Sequence, residues 1–284
     1  MMTSETTVAV IGGGATGTGI VRDLSMRGVD VTLVERGGLC SGTSGRSHGV
    51  LHSGARYADS DPVGAEACLT ENRTLRSIAG ECIRDTGGLF VQLAEDDPAY
   101  FTEKRDACEA VGIETDVLDS DGVLESIPDL SEDVVRTMTV PDGVVYPSRL
   151  VAANAADAEI HGATIHPQTP VEDLTVHDGE ITTIHLNGEG PDRIEPEYVV
   201  NAAGVWAGDV ASMAGLDIEM APTRGVMVSV SYGRLGPVLN RCRDPDDGDI
   251  IVPYADNVVF GTTSVPVSDP DEHQRAEWEI QTCI

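Results

Sequence analysis

The sequence predicts an α/β fold in which a parallel-sheet domain is interleaved with a β-rich lobe, and three observations predict it. An apolar strand, Val8-Ala9-Val10-Ile11, runs straight into Gly12-Gly13-Gly14-Ala15-Thr16-Gly17. A second strand, Val31-Thr32-Leu33-Val34, follows after a helix-length interval and ends on Glu35. Past Gly215 the pattern changes to short β-branched runs, 226–230, 250–252 and 258–260.

The opening segment describes a complete βαβ unit. Gly12, Gly14 and Gly17 fall where the backbone must turn tightly, approach a pyrophosphate and let a helix pack close to the sheet. Residues 15–27 read as that helix, whose N-terminus offers free N–H groups and the positive end of its dipole to phosphates. Gly28 stops the helix, and Glu35 has the spacing of an acid that hydrogen-bonds ribose hydroxyls.

Composition narrows the partners. Among 284 residues, 48 Asp and Glu stand against 18 Lys and Arg, a formal net charge of -30, and Lys104 is the only lysine. The acids are spread along the chain, which argues against a nucleic-acid or anionic-membrane surface. It suits a hydrated surface adapted to high salt, where screening tolerates self-repulsion, and so suggests a halophilic source. The N-terminal apolar run ends in the glycine turn and does not read as a signal peptide, and no stretch approaches a bilayer span. Six cysteines, Cys40, Cys68, Cys82, Cys108, Cys242 and Cys283, lie far apart without a CxxC pair. They read as reduced thiols of a cytoplasmic protein, with no metal site legible.

Along the chain, the Gly/Ser-rich loop 37–49 is too long and too rich in hydroxyls for a tight turn, and His48, His52, Arg56 and Tyr57 follow closely. Helices are expected over 63–83, 97–111 and 149–161, and strands over 163–166 and 182–186, with Asp178-Gly179 as a hairpin signal between those two strands. Residues 198–207 give a buried strand that breaks into small residues, as a backbone close to a ligand requires. A helix-like run begins near Asp271 and the chain stops within it at Ile284, which reads as a C-terminal truncation.

Taken together, these residues resemble the FAD-dependent glycerol-3-phosphate dehydrogenase family, most closely the large catalytic subunit of its anaerobic type, within the D-amino-acid-oxidase-like flavoproteins. The glycine fingerprint with Leu33-Val34-Glu35-Arg36, the run Thr43 to Tyr57 and Val140-Pro141-Asp142-Gly143 carry the resemblance. So do Asn201-Ala202-Ala203-Gly204-Val205-Trp206, Asn240 to Arg243 and Gly261-Thr262-Thr263. The stretch His52-Ser53-Gly54-Ala55-Arg56-Tyr57 is the most specific.

The resemblance implies a Rossmann-like FAD-binding domain of the D-amino-acid-oxidase/glutathione-reductase type over 1–80 and 146–215. An incomplete substrate lobe would take 81–145 and 216–284. It also implies FAD, with Gly12, Gly13, Gly14, Ala15, Thr16 and Gly17 at the pyrophosphate, and Glu35 and Arg36 at the adenosine. Thr43, Ser44, Ser47 and His48 would wrap phosphates and ring, Val171 would meet the adenine, and Ala202, Ala203, Gly204 and Trp206 would close the other side. His52, Arg56, Tyr57 and, before a glycine, Arg224 fall at its substrate site.

Arg56 suits a phosphate because guanidinium binds phosphate oxygens bidentately, though arginine serves carboxylates as well. Arg241 and Arg243 either join that site or balance the acids around 244–249. The implied reaction is hydride transfer from C2 of sn-glycerol 3-phosphate to flavin N5, with His52 the best visible base and electrons leaving to a membrane quinone through partner subunits. An amino-acid or 2-hydroxy-acid oxidoreductase of the same fold, or a non-catalytic FAD-binding fragment, remains open.

Folding is expected to depend on salt. Circular dichroism at low ionic strength should show loss of structure, and the melting temperature should rise in molar KCl. A melting temperature that does not move between the two conditions contradicts this.

Overall fold

Val8, Ala9, Val10 and Ile11 are all buried, so the strand they complete, Thr3–Ile11, is covered on both faces and lies inside a six-stranded sheet. The structure, a computed structural model, describes residues 2–271 and 274–284. It divides into two units, one of Met1–Ser47, Pro147–Pro222 and Val267–Asp271, the other of His48–Tyr146, Thr223–Pro266 and Glu272–Ile284.

In the first unit the sheet order is Val171–His177, Glu180–Leu186, Arg193–Asn201, Thr3–Ile11, Val31–Val34 and Thr164–His166. The last four strands run parallel, and the first two add an antiparallel hairpin at one edge. Side chains alternate between two cores, as the period of a strand dictates. Val8 and Val10 pack with Val21 and Ala158 of the helices Ala15–Met26 and Pro147–Ile160. Ala9 and Ile11 pack with Leu174, Ile184 and Ile194, which Val210 and Met213 of helix Ala207–Met213 help cover.

Asp178 and Gly179 turn that hairpin at φ +53° and +87°, the pair of positive values a tight two-residue turn needs. The strand entering the turn is Val171–His177, however, not 163–166. Thr164–His166 pairs in parallel with Val31–Val34. The entering strand buries only Leu174 fully and carries acids on its exposed face, so its apolar signal is weak.

The second unit holds a seven-stranded sheet ordered Met227–Ser231, Asn257–Gly261, Ile250–Tyr254, Val238–Arg241, Gly88–Leu93, Val134–Val140 and Val117–Asp119. Neighbours are antiparallel except Val238–Arg241 on Gly88–Leu93. One core cluster joins Ala65 and Leu69 to Phe90, Phe101 and Met138. Residues 48–80, which the sequence assigns to the first domain, therefore pack with the second unit: helix Pro62–Ile78 finds its apolar partners there.

Two helices of this unit start alike. Asp61 accepts the Gly64 N–H at 3.0 Å and Asp97 the Ala99 N–H at 2.8 Å, each followed by a proline at the first helical position. The C-terminal helix is Glu277–Cys283, shorter than the run expected from Asp271; of that run, residues 272–273 lie outside the described residues.

Helix Ala15–Met26 crosses the glycine turn at Gly17, where a Cβ would stand 1.9 Å from the Gly12 carbonyl oxygen. Backbone cannot yield as a side-chain end can. Gly17→Ala is expected to destabilise the protein by about 1–3 kcal/mol or more, read as a lower urea midpoint. A midpoint equal to the parent's would refute the contact.

Candidate functional site

The glycine turn leaves strand Thr3–Ile11 at the end where the parallel strands finish, the place where an open α/β sheet binds ligands. A cleft of about 750 Å³ opens there in the first unit. Glu35 organises its floor: one carboxylate oxygen accepts the Gly13 N–H at 2.7 Å and the other the Gly37 N–H at 2.8 Å. The hydroxyl-rich loop folds back over the turn. Cys40 N–H donates to the Gly13 carbonyl at 3.0 Å, and Ser44 Oγ accepts the Ala15 N–H at 3.0 Å.

On the other side of the cleft, strand Arg193–Asn201 breaks into Ala202, Ala203 and Gly204, and the Ala202 carbonyl oxygen lies 2.4 Å from where a Cβ on Gly12 would be. Arg36 stacks over Trp206 with its guanidinium carbon 4.0 Å from the ring centre. Asp271 accepts from Arg36 Nη2 and from Trp206 Nε1, both at 3.2 Å.

Gly12, Gly13, Gly14, Ala15, Thr16, Glu35, Arg36, Thr43, Ser44, Ser47, Val171, Ala202, Ala203, Gly204 and Trp206 all line this cleft. Gly17 does not; it sits against the turn's backbone. His48 does not either and belongs to the second unit. Thr169, Pro170, Asp209, Val210, Met213 and Met220 also line the cleft and carry no motif. Thr169 arrives through its N–H bond to the Glu35 carbonyl at 2.8 Å, a long-range pairing that no local pattern reveals.

In the second unit, His48, His52, Arg56 and Tyr57 line a cavity of about 390 Å³ with Asp246, Asp247 and Asp249. His52 lies edge-on to both neighbours, its ring centre 6.3 Å from that of His48 and 5.8 Å from that of Tyr57. The turn after His52 exists because Gly54 takes φ +95° and a Cβ there would fall 2.3 Å from the Ala65 carbonyl oxygen. Buried Asn72 donates to the carbonyls of Leu51, His52 and Pro141, each at 3.2 Å, and Arg76 Nε donates to its Oδ1 at 2.7 Å. Asp142, also buried, accepts the Ser53 N–H at 2.7 Å. The backbone bearing His52 is thus held from within the core.

The other arginines are engaged elsewhere. Arg224 does not line the cavity but pairs with the fully buried Glu279 at 2.8 Å. Arg241 meets Glu95 and Asp96, and Arg243 meets Asp249, so both balance acids.

Burial lowers the His48 pKa to about 4, and the nearby His52 and Arg56 charges push the same way. Its Nδ1 accepts the Val50 N–H at 3.1 Å, which fits the neutral ring with its proton on Nε2. Burial lowers the His52 pKa as well, opposed by Asp142 and reinforced by Arg56. Neutral imidazole is the form that can take up a proton.

A βαβ cleft of this kind, with a separate β-rich unit carrying histidines and an arginine, defines a dinucleotide-binding protein. Residues 7–284 match DAO, the FAD dependent oxidoreductase family, and the chain belongs to it. It is 46% identical over 295 aligned positions to the A1 subunit of the anaerobic glycerol-3-phosphate dehydrogenase of Haloferax volcanii, covering 100% of this chain and 50% of that protein. It is 41% identical to the corresponding A-type subunit of the anaerobic glycerol-3-phosphate dehydrogenase of Escherichia coli K12, covering 92% and 48%. The chain therefore spans about half the length of these relatives. The crystal structure of glycine oxidase from Geobacillus kaustophilus matches its fold with a TM-score of 0.81 at 23% identity, over 99% of this chain and 76% of that one.

FAD, the family's cofactor, suits the first-unit cleft. The helix N-terminus, the small residues of both turns and the Ser44 hydroxyl offer donors and close backbone approach to an anionic dinucleotide. Among the described residues no cluster of metal-ligating side chains is present, and no helix is long and apolar enough to cross a membrane.

The His48 shift carries a linkage. Its folded pKa lies near 4 and its unfolded value near 6.5, so between those values the unfolded chain binds the extra proton and stability rises with pH. Urea midpoints of the ligand-free protein should climb across this window and climb less in His48→Gln. Parallel profiles for the two proteins contradict the assignment.

Proposed function

We propose that this chain oxidises sn-glycerol 3-phosphate to dihydroxyacetone phosphate with FAD as hydride acceptor, and that the electrons pass through partner subunits to a membrane quinone. The observation that carries the substrate is the 46% and 41% identity to two proteins named as anaerobic glycerol-3-phosphate dehydrogenase subunits. The Arg56 cavity supports it with a guanidinium beside two histidines.

When bound, FAD supplies the two-electron acceptor for the C2 hydride. Gly12, Gly13, Gly14, Ala15, Thr16 and Gly17 form the turn and helix start that receive its pyrophosphate. Glu35 holds the glycine turn in shape and keeps lone pairs for ribose hydroxyls, with Arg36 and Trp206 beside it. Thr43, Ser44 and Ser47 supply hydroxyls, Val171 backbone, and Ala202, Ala203 and Gly204 close approach.

In the second unit, Arg56 binds the phosphate and neutral His52 takes the C2 hydroxyl proton, with Tyr57 against its ring. His48 keeps a second neutral ring beside His52. Arg224 enters this scheme only as the partner of Glu279, shaping the unit rather than touching substrate. Partner subunits would place the protein at the inner face of the cell membrane from the cytoplasmic side.

An amine substrate is the second reading. Asp246 and Asp247 line the same cavity as Arg56, an arrangement that suits an amino acid's ammonium and carboxylate.

Two experiments test these readings. Gly14→Glu puts a like charge where the pyrophosphate lies and should yield protein without flavin absorbance; a fully flavinylated variant removes the cleft from FAD binding. For the substrate, dye-linked turnover of the FAD-loaded protein is measured with glycerol 3-phosphate and with glycine. Arg56→Ala should lower kcat/KM for glycerol 3-phosphate roughly 10- to 100-fold, about 1.5–3 kcal/mol, with flavin content retained. Turnover of glycine alone establishes the second reading instead.

A further inference from the structure

Every cation of this chain but one is an arginine, and the exception, Lys104, is also the most deeply buried of them, its side chain 1% exposed. It stands on helix Pro98–Ala110, on the face that also buries Phe101 and Cys108. Its ammonium donates to the main-chain carbonyl of Arg56 at 3.1 Å and to the Asp59 carboxylate, and lies 5.3 Å from the centre of the Tyr100 ring. Tyr100 Oη in turn donates to the other Asp59 oxygen at 3.2 Å. Burial pushes the Asp59 pKa up, yet hydrogen bonds and charge from Lys104 outweigh it and hold the carboxyl below its usual range.

A buried ammonium is costly unless it is paired and hydrogen-bonded, and this one makes its contacts at two points of the turn segment 55–60. Residues 56–59 are gripped at the Arg56 carbonyl and at the Asp59 side chain, while Gly54 is fixed against Ala65 at the turn's entry. The Arg56 side chain leaves from the clamped backbone into the cavity shared with His52 and Tyr57. An ammonium is a compact donor with three N–H groups in a tetrahedral spread, whereas a guanidinium is a wide planar fork. A carbonyl and a carboxylate on a tight turn suit the former.

We infer that Lys104 is a positioning residue for substrate binding: it does not touch the substrate but fixes the backbone of Arg56, and so the aim of the anion-binding guanidinium. The inference rests on the reading of Arg56 as the substrate's anion ligand.

The test is calorimetric titration of FAD-loaded protein with glycerol 3-phosphate and with inorganic phosphate, alongside flavin content and a thermal melt. Lys104→Met keeps the bulk and loses every donor; it should raise both dissociation constants about 5- to 20-fold with flavin content unchanged. Lys104→Gln keeps an N–H for the Arg56 carbonyl and should stay within about threefold of the parent. A purely structural role ranks these two variants the other way, because methionine is the better core residue. Lys104→Met combined with Arg56→Ala should bind no more weakly than Arg56→Ala alone.

Where Lys104→Met does not fold, Tyr100→Phe, which loosens Asp59 only, should raise the dissociation constants about two- to threefold. Arg56→Ala weakened with every Lys104 and Tyr100 variant unchanged overturns the positioning role alone. Arg56→Ala unchanged, or a parent that binds neither anion, overturns the reading of the cavity, and the positioning role falls with it.

Discussion

Glu35 accepts one backbone N–H from the glycine turn and another from the loop that follows its own strand, so one carboxylate joins two chain segments. Its backbone carbonyl adds a third segment through Thr169. The glycine turn, the hydroxyl loop and the loop leading to Val171 are therefore aligned by one residue at the end of one strand. The acid usually read as a ribose ligand is thus also a structural bracket. The glycines make the bracket reachable: with a side chain at Gly13 the carbon would lie 2.9 Å from Glu35 Cβ.

The chain's charge is distributed by the same economy of cations. Arg22, Arg76, Arg224, Arg241 and Arg243 each pair with an acid, several of them far away in sequence. Exposed pairs of this kind add little stability, less still in concentrated salt, whereas those with a buried member fix geometry. Asp249 and Asp96, both nearly buried, take Arg243 and Arg241: the first pair closes the acidic loop on itself, and the second ties the end of strand Val238–Arg241 to the turn after Gly88–Leu93. Arg56 is tied to none of these acids and lines a cavity, which sets it apart from the structural arginines.

The βαβ unit was legible because its physics is local. A strand, a turn that needs glycine and a helix at fixed spacing leave a signature in consecutive residues, and the helix 15–27 appears as Ala15–Met26. The helices expected over 97–111 and 149–161 appear as Pro98–Ala110 and Pro147–Ile160, because Asp-Pro or Tyr-Pro starts and apolar periodicity are local too. The strand Val171–His177 was not legible: it is edge-like, mostly exposed and stabilised by its hairpin partner. The same limit hid Thr169, which reaches the cleft through a long-range backbone bond to Glu35, and Asp209 and Met220 line the cleft without belonging to any motif. Arg224 shows the converse failure, since a basic residue before a glycine does not disclose a buried glutamate 55 positions on.

Electrostatics bears on substrate choice in a chain of net charge -30. At about 0.1 M salt such a surface repels a phosphate ester over a Debye length of about 10 Å, and a single arginine would have to overcome that field. At molar salt the Debye length shrinks to about 3 Å, and only groups in contact with the ligand still count. On the proposed reading of the cavity, recognition would then be local, made by Arg56 and the groups beside it rather than by a broad positive surface. Asp246 and Asp247, which line the same cavity, act at the same short range. They would oppose a phosphate that strayed toward them and favour one drawn fully onto the arginine. If Arg56 is the anion's ligand, as proposed, a high-salt solvent would let one well-aimed guanidinium do what a basic patch does elsewhere, which raises the importance of whatever fixes its aim.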